Sequence, residues 1–416
     1  MQPVIFDIAV IGGGASGLAA AIEAKQHGGE DCRVAVIEKN SRLGKKILST
    51  GNGRCNLGNT DEKESFHYYG SCSDLVNPLF EKFDGSEMFF RSLGLICKED
   101  SGRLYPYSNH AASVLDALRF KVQQTDTEVI TDSEVVELHF SGKNWEIITN
   151  NEKILSYKVI IACGGKSTPA MGTDGNFYNI LRSVGHSWNN LHPALCPVLV
   201  DKEQIRGLKG IRASGKAYLC NRKNEIIRYD TGEIQFTENA LSGICIFNLS
   251  AFINEKDMII KIDLMHTLTD DQVRELLWSI YMQRYDWKIE DMLTGIFQKK
   301  MCISLIRKSN ISCDNDSPVY SLTNSDIESL VKTIKSFSFN VKGLSGWNQS
   351  QVTAGGIKRS EIKETLESKL CKGLYFSGEI LDIAGECGGY NLAWAWCSGV
   401  SAARNAVDAL KGGGKA

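Results

Sequence analysis

Three glycines and one glutamate near the N-terminus have the types and spacing of a dinucleotide-binding site. The glycines are Gly12, Gly14 and Gly17, in the pattern GxGxxG, and Glu38 follows the last of them by 21 residues. In such a site the first glycine makes a tight turn, the second lets a pyrophosphate approach the backbone, and the third lets a helix pack on a strand. A carboxylate placed like that of Glu38 accepts hydrogen bonds from a ribose. The pattern therefore predicts that the chain binds a dinucleotide.

Two buried strands and a helix must hold this turn in place. Residues 6–11 and 32–37 are short apolar runs rich in β-branched side chains, and an alanine-rich segment at 18–24 lies between them. Together they predict a βαβ unit whose helix presents free N–H groups to the phosphates. FAD and NAD share the ADP half that such a unit binds, so the unit alone does not distinguish them.

Glycine-rich segments elsewhere predict contacts with the rest of a long cofactor. The first, 43–56, is rich in glycine and lysine, and the second, 159–165, ends a strand in Gly-Gly without a GxGxxG motif. The third, 373–392, leads from a strand into an alanine-rich helix at 393–406, whose N-terminus can stabilise negative charge on a flavin. These segments favour FAD. The alternatives are a solvated basic loop for the first and an αβ unit without a ligand for the third.

The residues predicted to hold the cofactor come from these segments and from a strand at 134–138, whose backbone can meet an adenine edge. They are Gly12, Gly14, Ala15, Ser16, Gly17, Glu38, Lys39, Lys45, Lys46, Gly53, Arg54, Cys55, Asn56, Val135, Gly164, Gly165, Gly378, Glu379, Asp382, Gly389, Tyr390, Asn391 and Leu392.

Motifs along the whole chain, in order, resemble one family. Besides the glycine fingerprint they include Gly-Arg-Leu-Tyr-Pro at 102–106, Gly-Thr-Asp-Gly at 172–175, His-Pro-Ala-Leu at 192–195, Val-Thr-Ala-Gly-Gly at 352–356 and Gly-Gly-Tyr-Asn at 388–391. The chain is similar to the BaiN-like family of FAD-dependent oxidoreductases, also known as aminoacetone-oxidase-like flavoproteins. The resemblance implies an α/β fold with a Rossmann-like FAD-binding domain of the glutathione-reductase type. It also implies an inserted domain that is partly β-barrel-like and partly helical.

The domain organisation follows from where the cofactor segments lie. Because both ends of the chain carry such segments, 1–193 and 342–416 are expected to form one FAD-binding domain. The residues between them, 194–341, are expected to be an inserted substrate domain. Alternating apolar residues predict strands in its first part, 194–264, and helical periodicity predicts helices in its second part, 265–341.

The resemblance to this family, together with the predicted FAD contacts, implies the function of an FAD-dependent oxidoreductase. The favoured reaction is reduction of an activated C=C bond, such as a 3-oxo-enone of a steroid or bile acid. The alternatives are an O2-dependent oxidase of a small amine or amino ketone such as aminoacetone, and a non-catalytic redox sensor that uses Cys55 or Cys387. Since the chain has no second GxGxxG unit, NADH or NADPH is expected only as a transient electron donor.

Charged and phenolic side chains near the glycine-rich segments are candidates for proton donor or substrate anchor. For each of them a purely structural role is the alternative. The predicted catalytic residues are Arg54, Arg103 and Tyr390, with Tyr105, His110 and Glu386 as further candidates.

Composition excludes several other classes of protein. The 47 Lys and Arg residues nearly balance the 49 Asp and Glu residues, for a net charge of −2, which disfavours a nucleic-acid partner. No apolar run approaches the ~20 residues that span a bilayer, and the first residues do not resemble a secretory signal, so a cytoplasmic protein with a small-molecule substrate is expected. The 13 Cys and 7 His residues are scattered without CxxC or HExxH spacing, which predicts neither a disulfide framework nor a metal site. The oligomeric state stays open.

Overall fold

The predicted βαβ unit opens the fold. In the computed structural model, which describes residues 5–253 and 257–412, strand β1 (Ile5–Ile11) runs through the glycine turn into helix α1 (Ala15–Gly28). Strand β2 (Val34–Ile37) then pairs parallel with β1. Every residue of β2 is buried, as expected for a parallel strand covered on both faces.

The other elements of the described part of the chain alternate between strands and helices. The helices are α2 (Val76–Phe80), α3 (Ser86–Ser92), α4 (Ala111–Gln124), α5 (Phe177–Ser183), α6 (Lys202–Ile205), α7 (Ile244–Ser250), α8 (Asp270–Gln283), α9 (Lys299–Lys308), α10 (Asn324–Lys335) and α11 (Tyr390–Gly412). The strands are β3 (Gly58–Asn59), β4 (Tyr68–Tyr69), β5 (Cys97–Asp100), β6 (Arg103–Pro106), β7 (Glu128–Ile130), β8 (Val135–Phe140), β9 (Trp145–Thr149), β10 (Lys153–Ile161), β11 (His192–Ala194), β12 (Val198–Val200), β13 (Arg212–Cys220), β14 (Ile226–Phe236), β15 (Ala240–Ser242), β16 (Ile259–Asp263), β17 (Phe337–Leu344), β18 (Val352–Ala354), β19 (Leu374–Phe376) and β20 (Ala384–Gly385).

The chain forms two compact units, and the first contains both ends of the sequence. It comprises Met1–Pro193 and Gln351–Ala416. Its seven-stranded sheet has the order β7-β2-β1-β10-β9-β8, and β19 pairs with β10 off this path. Ile11 at the end of β1 pairs with Ile161 of β10, which in turn pairs with Phe376 of β19. Because these three strands are parallel, the glycine-rich segments that follow them all begin at the same end of the sheet, where the strands have their carboxyl ends.

Small residues let helices α1 and α11 pack closely on this sheet. The buried face of α1 is formed largely of alanine, and Gly399 of α11 lies directly against it. A Cβ atom built on Gly399 would overlap the carbonyl oxygen of Ser16, and it would lie 3.1 Å from Cβ of Ala19. The small residues along both helices are therefore required by this approach.

The second unit, Ala194–Ser350, is built around a closed antiparallel barrel. Its strands have the order β12-β15-β14-β13-β16-β17. The insertion was predicted to end at 341, but β17 continues through that position because it pairs with β12 on one side and with β16 on the other. The part predicted to be helical, 265–341, contains α8, α9 and α10 and also the start of β17.

Side-chain caps account for the start of two helices in this unit. At the start of α8 the Thr269 hydroxyl accepts a hydrogen bond from the backbone N–H of Gln272, and the Gln272 side-chain oxygen accepts one from the backbone N–H of Thr269. Thr323 and Asp326 make the same reciprocal pair at the start of α10. Such capping boxes satisfy N–H groups that a helix leaves unpaired.

Two further features concern membranes and metals. Within residues 5–253 and 257–412, none of the helices combines the length and the apolar character that crossing a bilayer requires. The same residues include no group of three or more His, Cys, Asp or Glu side chains arranged to hold a metal ion.

The packing of α11 on α1 gives a first prediction. Replacing Gly399 by Ala places a methyl group against the backbone of Ser16, so we expect the free energy of unfolding to fall by about 1–3 kcal/mol, as for other overpacked cores. Urea denaturation measures the change. The matched control is Gly412→Ala in the same helix, where a Cβ atom meets nothing within 4 Å. Equal stability of the two variants would contradict the packing argument.

Candidate active site

The predicted phosphate-binding turn has the backbone geometry that its glycines require. Gly12 has φ +103°, and a Cβ atom there would lie 2.5 Å from the carbonyl oxygen of Ala162 in the neighbouring strand segment. A Cβ atom on Gly17 would overlap the carbonyl oxygen of Gly12. Both glycines are therefore needed for the protein's own packing, which is the role expected of the first and third positions of the motif.

Gly14 differs from its neighbours because it faces open space. A Cβ atom built on it meets no atom within 4 Å. Gly14 is also the N-cap of α1, and no side chain caps the helix there. This open space lies beside the uncapped N-terminus of α1, which begins with Ala15 and Ser16, and a helix N-terminus of this kind can bind an anion.

The carboxylate of Glu38 holds this turn in place. Oε2 accepts a hydrogen bond of 2.8 Å from the backbone N–H of Gly13. Oε1 accepts bonds of 2.8 and 2.6 Å from the backbone and the side chain of Asn40. A carboxylate has about four lone-pair sites, so capacity for ribose hydroxyls remains.

The three lysines predicted to contact the cofactor each bind an acceptor of the protein. Lys39 Nζ lies 3.3 Å from a carboxylate oxygen of Asp174, and Lys45 donates to the carbonyl oxygen of Ala170 at 2.8 Å. Lys46 donates to Glu379 at 3.0 Å. These contacts tie the 3-10 helix at Lys45–Gly53 to loops that follow β10 and β19.

Glu379 is the centre of a network that joins three segments of the sheet edge. Oε1 accepts hydrogen bonds of 2.7 Å from the Ser167 hydroxyl and from the backbone N–H of Thr353, and Lys46 binds Oε2. Burial acts to raise the pKa of this carboxyl, but the Lys46 ammonium and the hydrogen bonds outweigh it, so the pKa of Glu379 is lowered. Glu379 is therefore a stable carboxylate. It links Ser167, two residues after Gly165, to the loop after β19.

Gly378 brings that same loop against the start of α1. It has φ +74°, and a Cβ atom on it would lie 2.5 Å from the Ser16 hydroxyl oxygen. The backbone of the third glycine-rich segment thus approaches the phosphate-binding turn directly.

Asn56 and Gly389 meet at the start of α11. Gly389 has φ +105°, and a Cβ atom there would overlap the carbonyl oxygen of Gly58 and lie 2.7 Å from Oδ1 of Asn56. Within the described residues, this Oδ1 atom is buried and has no hydrogen-bond partner. A buried acceptor left unpaired is costly, so a donor group on a ligand that binds here would be stabilised.

The other predicted cofactor residues have the following surroundings. The Asp382 carboxylate accepts from the Ser71 N–H and from the Asn189 side chain, and Asn391 makes two hydrogen bonds with the backbone of Gly385. Leu392 packs against the core of the first unit, and Cys55 is buried. A Cβ atom built on Gly53 would meet no atom within 4 Å. Val135 is the first residue of β8, the last strand on one side of the sheet.

A dinucleotide with a second ring system fits these features. The uncapped helix start and the open space at Gly14 suit a pyrophosphate, and Glu38 suits a ribose. The orphaned acceptor of Asn56 beside Gly389 suits a polar ring edge. Residues of the first unit alone supply all of these groups, so FAD fits the site.

Of the predicted catalytic residues, Arg54 contacts side chains on β5, on β6 and in the loop after β6. It stacks on the ring of Tyr105 at 4.0 Å and contacts side-chain oxygens of Asn109 and Asp100 at 3.2 and 3.4 Å. Arg103 lies in β6, opposite Asn59 of β3. His110, a further candidate, is the exposed N-cap residue of α4.

Tyr390 is the centre of a hydrogen-bonded group that we term the Tyr390 cluster: Tyr390, His67, Asp61 and Glu386. The Tyr390 hydroxyl donates to Asp61 Oδ1 at 2.9 Å and lies 3.1 Å from Nε2 of His67. His67 contacts Glu386 through Nδ1 at 2.9 Å and Asp61 through Nε2 at 3.0 Å. The two rings stack with their centres 4.2 Å apart. A phenol, an imidazole and two carboxylates arranged in this way can hold and move a proton.

Sequence reasoning missed His67 and Asp61. The pairing of β20 with β4 brings them to the start of α11, with Ala384 opposite Tyr69 and Gly385 opposite Tyr68. His67 and Glu386 are 319 positions apart in the chain. Neither of the two short strands has an alternation pattern long enough to predict the contact, so a single sequence carries no signal for it.

The chain is similar to known proteins along nearly its whole length. A model of the family described as HI0933-like protein Rossmann domain matches residues 6–405. The 3-dehydro-bile acid delta(4,6)-reductase of Clostridium scindens is 36% identical over 96% of this chain and 99% of its own length. The ribosomal RNA dihydrouridine synthase of Escherichia coli is 24% identical over 97% of this chain and 98% of its own length.

One solved structure has the same overall fold along the whole chain. It is the 3-ketosteroid delta1-dehydrogenase of Sterolibacterium denitrificans in complex with 1,4-androstadiene-3,17-dione, which is 11% identical with a TM-score of 0.50. The match covers 98% of this chain and 100% of that one. The likeness shows the fold, in agreement with the α/β architecture and inserted barrel described above.

The open space at Gly14 gives a second prediction. Gly14→Val adds a side chain where the protein has no atom within 4 Å, so the variant should fold but exclude the pyrophosphate and lose its FAD. The measurement is FAD released per chain on denaturation, together with the circular dichroism of the protein. The control is Gly346→Val, at a position with similar extended backbone and equally open surroundings. A Gly14→Val protein that retains full FAD would contradict the assignment.

The Glu379 network gives a third prediction. Glu379→Gln removes the charge that binds Lys46, and we expect the free energy of unfolding at neutral pH to fall by about 1–3 kcal/mol. Because the pKa of Glu379 is lowered by folding, its contribution is complete above its ordinary pKa of 4.5 and is lost as the pH falls through the folded-state value. The difference from wild type, measured by urea denaturation with FAD in excess, should therefore narrow in acid. Glu87→Gln, in an exposed ion pair, is the control. A difference that does not depend on pH would refute the charge argument.

Proposed function

The chain belongs to the HI0933-like Rossmann family, and from that membership we propose that it reduces a carbon–carbon double bond conjugated to a carbonyl group in a steroid or bile acid. It is an FAD-dependent oxidoreductase. The observation that carries the proposed reaction is the 36% identity, along nearly the whole of both chains, with a reductase named for the delta(4,6) bonds of a 3-dehydro-bile acid. Bound FAD supplies the hydride for this type of chemistry.

The residues at the start of α11 suit such a substrate. An enone accepts a hydride at one carbon and must gain a proton at another, and the Tyr390 cluster can hold that proton. Phe66, which is 67% exposed, lies beside His67 with the ring centres 4.2 Å apart. An exposed aromatic ring next to a group that transfers protons supports an apolar substrate with rigid rings.

The electron donor in this proposal is NADH or NADPH, bound transiently. The chain has a single GxGxxG βαβ unit, and the geometry at Gly14 and Glu38 suits the ADP part of FAD. A nicotinamide nucleotide would then have no permanent site of its own and would leave after each reduction.

The redox-sensor alternative has little support from Cys55. Burial raises the pKa of its thiol to about 12, so the reactive thiolate is scarce at neutral pH. A second competitor is reduction of uridine in RNA, since two relatives named ribosomal RNA dihydrouridine synthase are 24% and 25% identical. The balanced charge of the chain and the higher identity of the bile-acid enzyme favour the small substrate.

The fourth prediction tests the reaction with the holoenzyme. The protein is photoreduced without oxygen and then mixed with a 3-oxo bile acid carrying delta(4,6) double bonds, termed the dienone probe below. We expect the oxidised flavin spectrum to return much faster than it does with O2 alone. The saturated 3-oxo bile acid is the matched control and should leave the flavin reduced.

Two other results would contradict the proposal. Fast reoxidation by O2 with no response to the dienone probe supports an oxidase, for which aminoacetone is then tested with the oxidised protein. Reoxidation by uridine-containing ribosomal RNA, detected as dihydrouridine in the RNA, supports the RNA reaction.

A further inference from the structure

The Tyr390 cluster is fixed in place by the backbone around it. The N–H of Glu386 donates to the carbonyl oxygen of His67 at 3.0 Å, which continues the pairing of β20 with β4. The side chain of Asn59 donates to the carbonyl oxygen of Gly388 at 3.0 Å, which fixes the glycine turn before α11. The cluster therefore lies at the same turn as Gly389, which is next to Asn56. This turn is the part of the site that suits a polar ring edge of the cofactor.

Exposure increases stepwise through the cluster. Tyr390 is 5% exposed, the His67 side chain is 15% exposed, and the Asp61 side chain is 46% exposed. Glu386, on the other ring nitrogen of His67, is 17% exposed. The hydrogen bonds therefore lead from a buried hydroxyl to a carboxylate in contact with water, both directly and through the His67 imidazole, and a proton route needs such a link to solvent.

The surroundings keep the Tyr390 hydroxyl protonated. Burial, the hydrogen bond to Asp61 and the negative charges of Asp61 and Glu386 raise the pKa of Tyr390, and Arg103 opposes them only in part. Tyr68, which packs edge-on against Tyr390, also has a raised pKa because of burial and the nearby Glu62. A phenol in these surroundings is a proton donor and not a base.

We propose that Tyr390 donates the proton that completes reduction of the substrate double bond, and that His67 replaces this proton from solvent by way of Asp61. This inference rests on the proposed function, and it assigns to that reaction a relay residue, His67, that sequence reasoning did not find. Glu386 is a positioning residue, since its carboxylate holds Nδ1 of His67 and leaves Nε2 toward Tyr390 and Asp61.

The proton and the electrons balance in this step. In the overall reaction a reduced nicotinamide nucleotide is the source of the hydride. The hydride adds to the carbon β to the carbonyl, and the electron pair of the double bond moves toward the carbonyl to give an enolate. The O–H bond of Tyr390 breaks, and a C–H bond forms at the α carbon. The Tyr390 phenolate then takes a proton from Nε2 of His67, and the imidazole regains one from water beside Asp61.

The fifth prediction concerns Tyr390→Phe, which removes the hydroxyl and keeps the ring. In single turnovers of the reduced holoenzyme with the dienone probe, the rate should fall by about 10²–10⁴-fold, the usual contribution of a general acid. The Kd of the saturated 3-oxo bile acid for the oxidised holoenzyme, read from the flavin absorbance, should stay close to that of wild type. If the rate is unchanged, the proton donor is another group. If the Kd rises as much as the rate falls, Tyr390 is a binding residue.

His67→Gln tests the relay and is compared with His27→Gln, which removes a histidine from an exposed pair with Asp408. Single turnovers of the His67 variant should be slower than those of wild type, and added imidazole should restore the rate. The His27 variant should behave as wild type. A slow His67 variant that imidazole does not rescue would leave His67 with a structural role only.

A readout independent of turnover is the ¹⁵N spectrum of histidine in the oxidised holoenzyme. The His67 resonances, assigned by their loss in His67→Gln, should shift when the saturated 3-oxo bile acid binds to wild type and should not shift in Tyr390→Phe. Equal shifts in both proteins would overturn the coupling.

If wild type turns over the dienone probe and Tyr390→Phe matches it, only the relay is wrong. If wild type does not respond to the probe, the proposed function and the relay both fail.

Discussion

The site depends on one constraint. Backbone segments must approach one another closely at the carboxyl ends of the parallel strands. The strands β1, β10 and β19 all end there, and each leads into glycine within a few residues. Side chains at Gly12, Gly17 and Gly378 would collide with neighbouring backbone or with Ser16, and the one at Gly14 would fill the space before α1. The absence of these side chains lets three segments meet and leaves room for a pyrophosphate.

An ion pair between Lys46 and Glu379 then holds these segments together. Lys46 and Glu379 lie 333 positions apart in the chain, and their ion pair joins the loop after β2 to the loop after β19. Ser167 and Thr353 complete the coordination of the same carboxylate from two further segments. Because every partner is a protein group, the network is a scaffold at the carboxyl end of the sheet, and we propose that groups at the start of α11 carry the chemistry.

Local patterns allowed much of this to be predicted. The GxGxxG motif, Glu38 and the two apolar strands lie within forty residues, so their spacing alone specifies the βαβ unit and the phosphate-binding turn. The barrel was expected from the family resemblance and from alternating residues in β13 and β14, which are long enough to show the period of a strand. The family and the α/β fold with an inserted barrel are confirmed.

Contacts between distant short segments could not be predicted. β17 closes the barrel through pairing with β12 and β16, so the end of the insertion was placed too early, at 341. His67 reaches Tyr390 because two-residue strands pair, and strands of that length carry no periodic signal. The partners of Lys39 and Lys45 also come from loops far along the chain, which composition alone cannot specify.

The central claim is that both ends of the chain form one site that holds FAD. The most direct measurement is the amount of FAD released by denaturing the purified protein, relative to the amount of chain. We expect a ratio near unity and the absorption spectrum of a protein-bound flavin before denaturation. A protein that is colourless, and that takes up no FAD after refolding in its presence, would show that the two ends of the chain do not form an FAD site.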